Sequence, residues 1–225
     1  VAFQKHPWHI AKSGYLGKNY DPFIANDAVV LPKYTNVGKD TGQTTGGKLF
    51  DLPNTLTPSR INNRKNLLGQ FDKIRRGLDL KGSMDAVDHY REAAIEMVTG
   101  NRVRDAFDLT KESPKTRARY GKHLWCQQTL LARRLVEAGS SFVTLDLSYH
   151  SASGTWDTHG IPGGVYGGIS KGLGPLLPLF DHMITTLVSD LEERGLLDNT
   201  LVIGMGEFGR TPNMGTQGST DGRNH

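Results

Sequence analysis

Two short β-rich runs flank a long amphipathic helix in the last third of the sequence. SFVTLDLSY begins at Ser141 and TLVIGM at Thr200, and the segment between them, PLLPLFDHMITTLVSDLEERG, has a helical stripe of apolar residues. A strand, a helix and a strand at this spacing predict a βαβ unit with parallel strands and a right-handed crossover. Because TLVIGM is apolar throughout, we expect it to be buried on both faces. The predicted fold class is therefore α/β, with a parallel-sheet core.

The remainder of the chain has a different character. Residues 1–60 are rich in proline and glycine, which predicts a loop-rich segment that wraps over another part of the fold. Residues 60–138 have helical periodicity in RINNRKNLLGQFDKIRR, in MDAVDHYREAAIEMV and in a segment that follows Ser113, a good N-cap, and stops at Gly139. We therefore expect part of one domain, in which residues 140–225 form the βαβ core.

Composition excludes several classes of protein. The chain has 225 residues, 36% of them hydrophobic, and a mean hydropathy of −0.44. No stretch approaches the ~20 apolar residues that a membrane-spanning helix needs. The single cysteine, Cys126, excludes an internal disulfide framework and a multi-cysteine zinc site, and its helical setting indicates a core residue. The net charge is +4, but basic residues are mixed with acidic ones along the helices, so we expect no nucleic-acid partner. A nucleic-acid or polyanion surface is the alternative.

The predicted strands lead into two polar loops, and in open α/β sheets the chemistry lies beyond the carboxyl ends of the strands. The first loop contains WDTHG, in which Asp157 and His159 are two positions apart and can point into one cleft. A carboxylate and an imidazole together suit zinc or another transition metal. The alternative is that Asp157 caps a turn and that His159 lies at the surface.

The second loop begins with Glu207, one glycine after TLVIGM. A glutamate at the end of a buried strand is exposed at the rim, ion-paired or bound to a metal. Arg210, three residues on, could form that ion pair or could bind the planar oxygens of a phosphate or sulfate. His225 adds an imidazole at the end of this loop. Together the two loops supply two carboxylates and two imidazoles.

Several motifs are similar to those of a known family. WDTHG, GEFGRTP, the final GRNH, YLGKNYDPF and RYGKHLWCQQTLLARRLVEAG resemble the family called domain of unknown function 1501, nearly end to end. LEERGLLDNTLVIGMGEFGRTP also resembles a segment of the alkaline-phosphatase and sulfatase superfamily. The resemblance implies an alkaline-phosphatase-like fold, of which this chain is a C-terminal part cut from a longer protein at both ends. It also implies a periplasmic or secreted protein.

The resemblance assigns a role to each candidate ligand. Asp157 and His159 match an aspartate–histidine pair that shares one metal in the superfamily. Glu207 falls where a metal-binding aspartate is expected, and His225 matches a late histidine. The implied cofactor is a divalent metal, zinc or calcium.

The sequence also departs from the pattern that the resemblance implies. Phe208 stands where a further ligand is expected, and Asn224 stands where the family usually has an aspartate. The nucleophile of the superfamily has no counterpart in this sequence, and Cys126 does not lie in the sulfatase signature.

Two functions are compatible with these residues. The first is metal-dependent hydrolysis of sulfate or phosphate esters, with a small-molecule or glycan ester as substrate. In this function Arg210 would stabilise the anionic transition state beside the metal. The alternative is a non-catalytic glycan- or anion-binding protein that reuses the fold.

Overall fold

The computed structural model describes residues 2–3, 14–17, 20–22, 53–76, 95, 100–147, 156–160, 168–206, 208–215 and 218–224. The chain divides into two compact units, one formed by residues 1–46 and 112–225 and the other by residues 47–111. In the described part of the chain, no helix combines the length and the apolar character that crossing a membrane requires.

The described residues of the unit 47–111 are mostly helical. Its helices are α1, Pro58–Arg76, and α2, Asn101–Phe107, and a 3-10 turn at Leu109–Lys111 follows them. α1 confirms the helix that RINNRKNLLGQFDKIRR predicts. Of the helix predicted from MDAVDHYREAAIEMV only Ile95 is described, and it is helical; the other positions lie outside the described residues.

The described residues of the larger unit form three α-helices: α3, Pro114–Tyr120; α4, Leu124–Glu137; and α5, Gly174–Glu193. The sequence predicts α3 and α4 as one helix. The chain instead breaks at Gly121, whose φ of 94° is a conformation that glycine adopts without steric cost. The predicted start is confirmed, because the Ser113 hydroxyl accepts a hydrogen bond from the Thr116 N–H at 3.0 Å. The predicted stop at Gly139 is confirmed by its φ of 103°.

Helix α5 packs against α3 and α4. It follows a π-helical turn, Ile169–Leu173, and its predicted stop is confirmed, because Gly195, two residues beyond Glu193, has a φ of 66°. The Leu196 N–H donates to the Leu191 carbonyl at 2.8 Å, which closes the last turn. The core consists of apolar side chains from the three helices, all of them buried: Tyr120, Leu124, Cys126, Leu130, Leu131, Leu135, Met183 and Leu191. The predicted core position of Cys126 is therefore confirmed.

A buried arginine joins the helices through ion pairs. The side chain of Arg133 on α4 is fully buried and is ion-paired with Glu112 before α3, with Glu137 at 2.6 Å and with Asp190 of α5 at 2.9 Å. Arg194 also contacts Asp190, at 2.8 Å. Burial alone would raise the pKa of Glu112, but hydrogen bonds from Arg133 and from the Ser113 N–H, with the charge of Arg133, lower it to about 2.

The prediction of a parallel-sheet α/β core is wrong. The described residues are mostly helical, and their only strand pairing is a two-residue parallel ladder that joins β1, Ala2–Phe3, to β2, Thr144–Leu145. SFVTLDLSY therefore contributes two residues of strand among its described positions, 141–147. TLVIGM contributes none in the described structure, so no βαβ unit forms around α5.

The physical reason lies in the exposure of TLVIGM. Leu201 is 84% exposed, Ile203 is 65% exposed and Met205 is 85% exposed. An apolar run becomes a buried strand only when neighbouring strands pair with its backbone and other elements cover its faces. The sequence pattern shows that the run is apolar, but it does not show whether other strands pair with it or other elements cover it.

Candidate functional site

Three loop segments meet in the larger unit: residues 156–160, 208–215 and 218–224. Three backbone hydrogen bonds of 2.9 Å join them, from the N–H groups of Arg223, Thr211 and Gly215 to the carbonyls of Thr158, Asn224 and Gly222, respectively. The site is therefore built from loops, and its positions are fixed by main-chain pairing and not by one regular element.

The segment 218–224 is also anchored to the start of the helical segment that leads into α5. The Asp221 carbonyl accepts from the Ile169 N–H and the Asp221 carboxylate accepts from the Ser170 N–H, both at 2.9 Å. The approach is so close that a Cβ on Gly168 would lie 2.4 Å from the Asp221 carbonyl oxygen. A Cβ on Gly160 would lie 2.7 Å from the Ser219 hydroxyl. Only glycine fits at these two contacts.

An aromatic cluster holds the first loop in place. The Trp156 indole N–H donates to the Leu147 carbonyl at 2.7 Å. The same ring stacks on Trp125 of α4, with centroids 6.3 Å apart, and meets Phe180 of α5 edge to face at 6.1 Å. The residues that follow Trp156 thus start from a fixed point on the helical core.

Asp157 and His159 interact through a single carboxylate oxygen. Asp157 Oδ1 accepts from the His159 backbone N–H at 3.0 Å and lies 2.5 Å from His159 Nδ1. His159 is buried, and it is not the surface residue of the alternative interpretation. Burial would raise the pKa of Asp157, but the two hydrogen bonds from His159 and the charge of Arg210 hold it below its ordinary value. Asp157 is therefore ionised at neutral pH.

Both ring nitrogens of His159 face acceptor oxygens. Nδ1 lies against the Asp157 carboxylate, and a ring nitrogen donates to its oxygen when it carries the proton. The opposite ring nitrogen, His159 Nε2, lies 3.1 Å from Asn224 Oδ1. The imidazole is thus held between a carboxylate on one side and an amide oxygen on the other.

Arg210 lies on the Nδ1 side of this imidazole. Its Nη1 is 3.3 Å from His159 Nδ1 and its Nη2 is 3.8 Å from Asp157 Oδ1. The same Nη1 donates to the Arg223 carbonyl, at 3.2 Å, and this bond fixes the guanidinium. The Phe208 ring lies beneath the guanidinium, 5.6 Å from ring centroid to Cζ.

The structure brings together three of the five predicted site residues: Asp157, His159 and Arg210. Glu207 and His225 lie outside the described residues, so their predicted roles stay predictions. The contact between His159 and Asn224 is not predicted from the sequence. Its only signal is GRNH, in which the amide of Asn224 stands where the family usually has a carboxylate.

The spacing of the donor atoms decides where a metal could bind. A zinc ion lies about 2.0–2.2 Å from nitrogen and oxygen ligands, so two ligands of one ion are separated by about 3 Å or more. The 2.5 Å between His159 Nδ1 and Asp157 Oδ1 is shorter than the separation of two ligands of one ion. The 3.1 Å between His159 Nε2 and Asn224 Oδ1 is a hydrogen-bond distance, at which the amide oxygen accepts. Within the described residues no group of three or more His, Cys, Asp or Glu side chains forms a complete metal site.

The chain belongs to the family described as "Protein of unknown function (DUF1501)", which it matches over residues 4–225. The family predicted from the sequence motifs is therefore confirmed. No protein of curated function matches the chain. No solved structure matches it either.

Proposed function

We propose that this chain forms part of a metal-dependent hydrolase of phosphate or sulfate esters, related to the alkaline-phosphatase and sulfatase superfamily. The observation that carries the proposal is the cluster of Asp157, His159 and Arg210, in which a buried imidazole lies beside a fixed guanidinium. The imidazole of His159 suits a metal ion, and the guanidinium of Arg210 suits an anionic oxygen.

The roles divide by chemistry. His159 is the described residue best suited to bind a metal, since its imidazole is buried beside the Asp157 carboxylate. Asp157, Glu207 and His225 are the other candidate residues around the metal. When bound, such an ion polarises the ester and lowers the pKa of a bound hydroxyl or water. Arg210 binds the non-bridging oxygens of the ester and neutralises the charge that develops on them.

Metal content and turnover test this proposal together. The protein is purified without chelator, its metal content is measured by mass spectrometry, and hydrolysis of aryl phosphate and aryl sulfate esters is followed with and without EDTA. His159→Ala should lose the metal and the turnover. His182→Ala is the matched control, because His182 is an exposed imidazole of α5 that bonds to the Tyr120 carbonyl and lies outside the site. Equal metal content in the wild type and in both variants would contradict the proposal.

A second function, binding of an anion or glycan without turnover, is favoured by one observation. Phe208 is half exposed beside the Arg210 guanidinium, a pairing that can take up an anionic sugar by stacking and charge. Saturable binding of a sulfated or phosphorylated glycan, with no hydrolysis of any ester and no stoichiometric metal, would favour this function over the first.

A further inference from the structure

We propose that Arg223 is a positioning residue for Arg210, the residue that would bind the anionic oxygens of a phosphate or sulfate group. Arg223 holds both the Arg210 guanidinium and the backbone beside it. The inference rests on the anion-binding role proposed for Arg210 and involves no metal ion. It therefore applies to ester hydrolysis and to anion binding without turnover alike.

Arg223 links all three loop segments of the site. Its backbone N–H donates to the Thr158 carbonyl at 2.9 Å, and its side-chain Nε donates to the Thr211 carbonyl at 2.6 Å. Its own carbonyl accepts from Arg210 Nη1 at 3.2 Å. One residue thus bonds to the first loop, to the backbone next to Arg210 and to the Arg210 guanidinium.

The side chain of Arg223 completes the hydrogen bonding of Thr211, which follows Arg210 directly. The Thr211 N–H donates to the Asn224 carbonyl at 2.9 Å, and the Thr211 carbonyl accepts from Arg223 Nε. Because a peptide group is planar, these two bonds fix both peptide planes that flank Thr211. One of those planes is the peptide that joins Thr211 to Arg210, so the bonds also fix the direction in which the Arg210 backbone runs.

The chain on the other side of Arg210 is less restrained. Gly209 is exposed, and a Cβ at this position would meet nothing within 4 Å. Glycine also has the widest choice of backbone conformations. The position of Arg210 is therefore set mainly from the Thr211 side, where the Arg223 side chain binds.

The alternative role for Arg223 is direct contact with the anion. Its terminal nitrogens form no hydrogen bond or ion pair within the part of the chain that the structure describes. The two roles use different atoms: positioning uses Nε, which is attached to Cδ, whereas anion contact uses the charge and the terminal nitrogens. The observed contact supports positioning, since Nε is the side-chain atom that forms the bond.

Two substitutions separate these atoms. Arg223→Gln removes the charge but places an amide N–H on Cδ, where Arg223 carries Nε, so it keeps the donor to Thr211. Arg223→Lys keeps the charge and has no donor on Cδ. Calorimetric titration with inorganic sulfate should give Arg223→Gln an affinity within about twofold of the wild type, because a charge at a distance is screened. Arg223→Lys should lose about fivefold, the change expected for one hydrogen bond. The reverse order of the two variants would overturn the proposal.

A double-mutant cycle distinguishes positioning from general support of the loops. The loss of sulfate affinity caused by Arg223→Met is measured in the wild type and in Arg210→Lys. Lysine is a flexible point charge without a fork to orient, so the loss should be clearly smaller in the Arg210→Lys protein. Equal losses in both proteins would overturn the proposal, since a residue that contacts the anion itself, or only supports the loops, acts independently of the Arg210 guanidinium.

The order of the Arg210 side chain gives a measurement that needs no anion. Nitrogen-15 relaxation of the Arg210 Nε–H group should show a rigid side chain in the wild type and in Arg223→Gln, and a mobile one in Arg223→Met. Arg117→Met, which removes an exposed arginine of α3, is the matched control and should leave Arg210 rigid. If the wild type binds neither sulfate nor phosphate, the proposed function fails and this measurement decides the role of Arg223. A rigid Arg210 side chain in Arg223→Met would overturn that role.

Discussion

Arg133 Nε lies 2.9 Å from Asp190 Oδ2, and this ion pair joins the interiors of α4 and α5. The Arg133 side chain is fully buried, and Glu112 and Asp190 beside it are nearly so. Removal of the cation would leave two buried carboxylates whose remaining arginine partners are Arg134 and Arg194. Breaking such a pair from one side costs more than the pair itself contributes, because the remaining charges are desolvated and less completely paired.

We expect Arg133→Met, which keeps the length of the side chain, to lower the free energy of unfolding by about 3–5 kcal/mol. Urea denaturation followed by circular dichroism measures the change. The control is Arg119→Met, which removes an arginine that pairs with Glu193 on the surface at 2.7 Å and should leave the stability almost unchanged. Equal effects of the two substitutions would show that burial does not determine the contribution of Arg133.

The depressed pKa of Glu112 predicts loss of stability in acid. The folded-state value of about 2 lies below the ordinary 4.5, so the folded protein binds this proton less readily than the unfolded chain. The stabilisation is therefore complete above about pH 4.5 and is lost as the pH falls towards 2. The free energy of unfolding, measured by urea denaturation at a series of pH values, should decrease across this window. Glu112→Gln should flatten the decrease, and an unchanged slope in that variant would assign the effect to other carboxylates.

Glycine at position 168 should be required by a contact and not only by its backbone conformation. Gly168 and Gly195 both have a φ of 66°, but a Cβ on Gly168 would meet Asp221, whereas a Cβ on Gly195 would meet nothing within 4 Å. Gly195→Ala has the cost of positive φ, about 1 kcal/mol. Gly168→Ala has a larger backbone cost, because its φ of 66° is combined with a ψ of −158°, a region that is essentially restricted to glycine. Gly168→Ala should cost clearly more in thermal unfolding and should also weaken sulfate binding, since it displaces the segment that carries Arg223. Equal losses in the two variants would contradict this role of the contact.

Thr158 has a buried hydroxyl that no described residue bonds. An unsatisfied buried hydroxyl destabilises, so Thr158→Val should raise the free energy of unfolding by about 1 kcal/mol. Thr129→Val is the matched control, because the Thr129 hydroxyl is also buried but donates to the Trp125 carbonyl at 2.7 Å. That variant should lower the stability by about 1 kcal/mol. A loss of stability in Thr158→Val would reveal a partner for this hydroxyl.

The helix ends could be predicted from the sequence because their signals are local. The hydrogen bonds at Ser113 and around Gly195 join residues within five positions of each other, so neighbouring residues in the sequence are enough to predict them. The break at Gly121 was not predicted, since the apolar residues Tyr120 and Leu124 continue the helical period across it. The burial of TLVIGM was predicted wrongly, because burial depends on neighbours that are distant in sequence.

At the candidate site too, contacts between residues close in sequence could be predicted, whereas contacts between distant residues could not. The contact between Asp157 and His159 spans two positions, and an extended loop places such residues side by side. The contact between His159 and Asn224 spans 65 positions and depends on backbone pairing between loops, which has no pattern in the sequence. From the sequence, Phe208 is only a position at which an expected ligand is missing. The contact between its ring and the Arg210 guanidinium can be recognised only from the loop geometry.

Arg210 should bind anions through the shape of its guanidinium as well as through its charge. Its Nη1 donates to the Arg223 carbonyl at 3.2 Å, and its Cζ lies over the Phe208 ring. These two contacts fix the orientation of the guanidinium. Arg210→Lys keeps the charge but loses the two-pronged geometry and the stacking. We expect about tenfold weaker binding of sulfate or phosphate, measured calorimetrically, because one charged hydrogen bond contributes about 1.5 kcal/mol.

Phe208→Leu should give a smaller loss of affinity, about threefold, from the missing cation–π contact. The control is Arg102→Lys, an exposed arginine of α2, and an Arg210→Lys variant that binds sulfate as tightly as this control would show that only the charge matters.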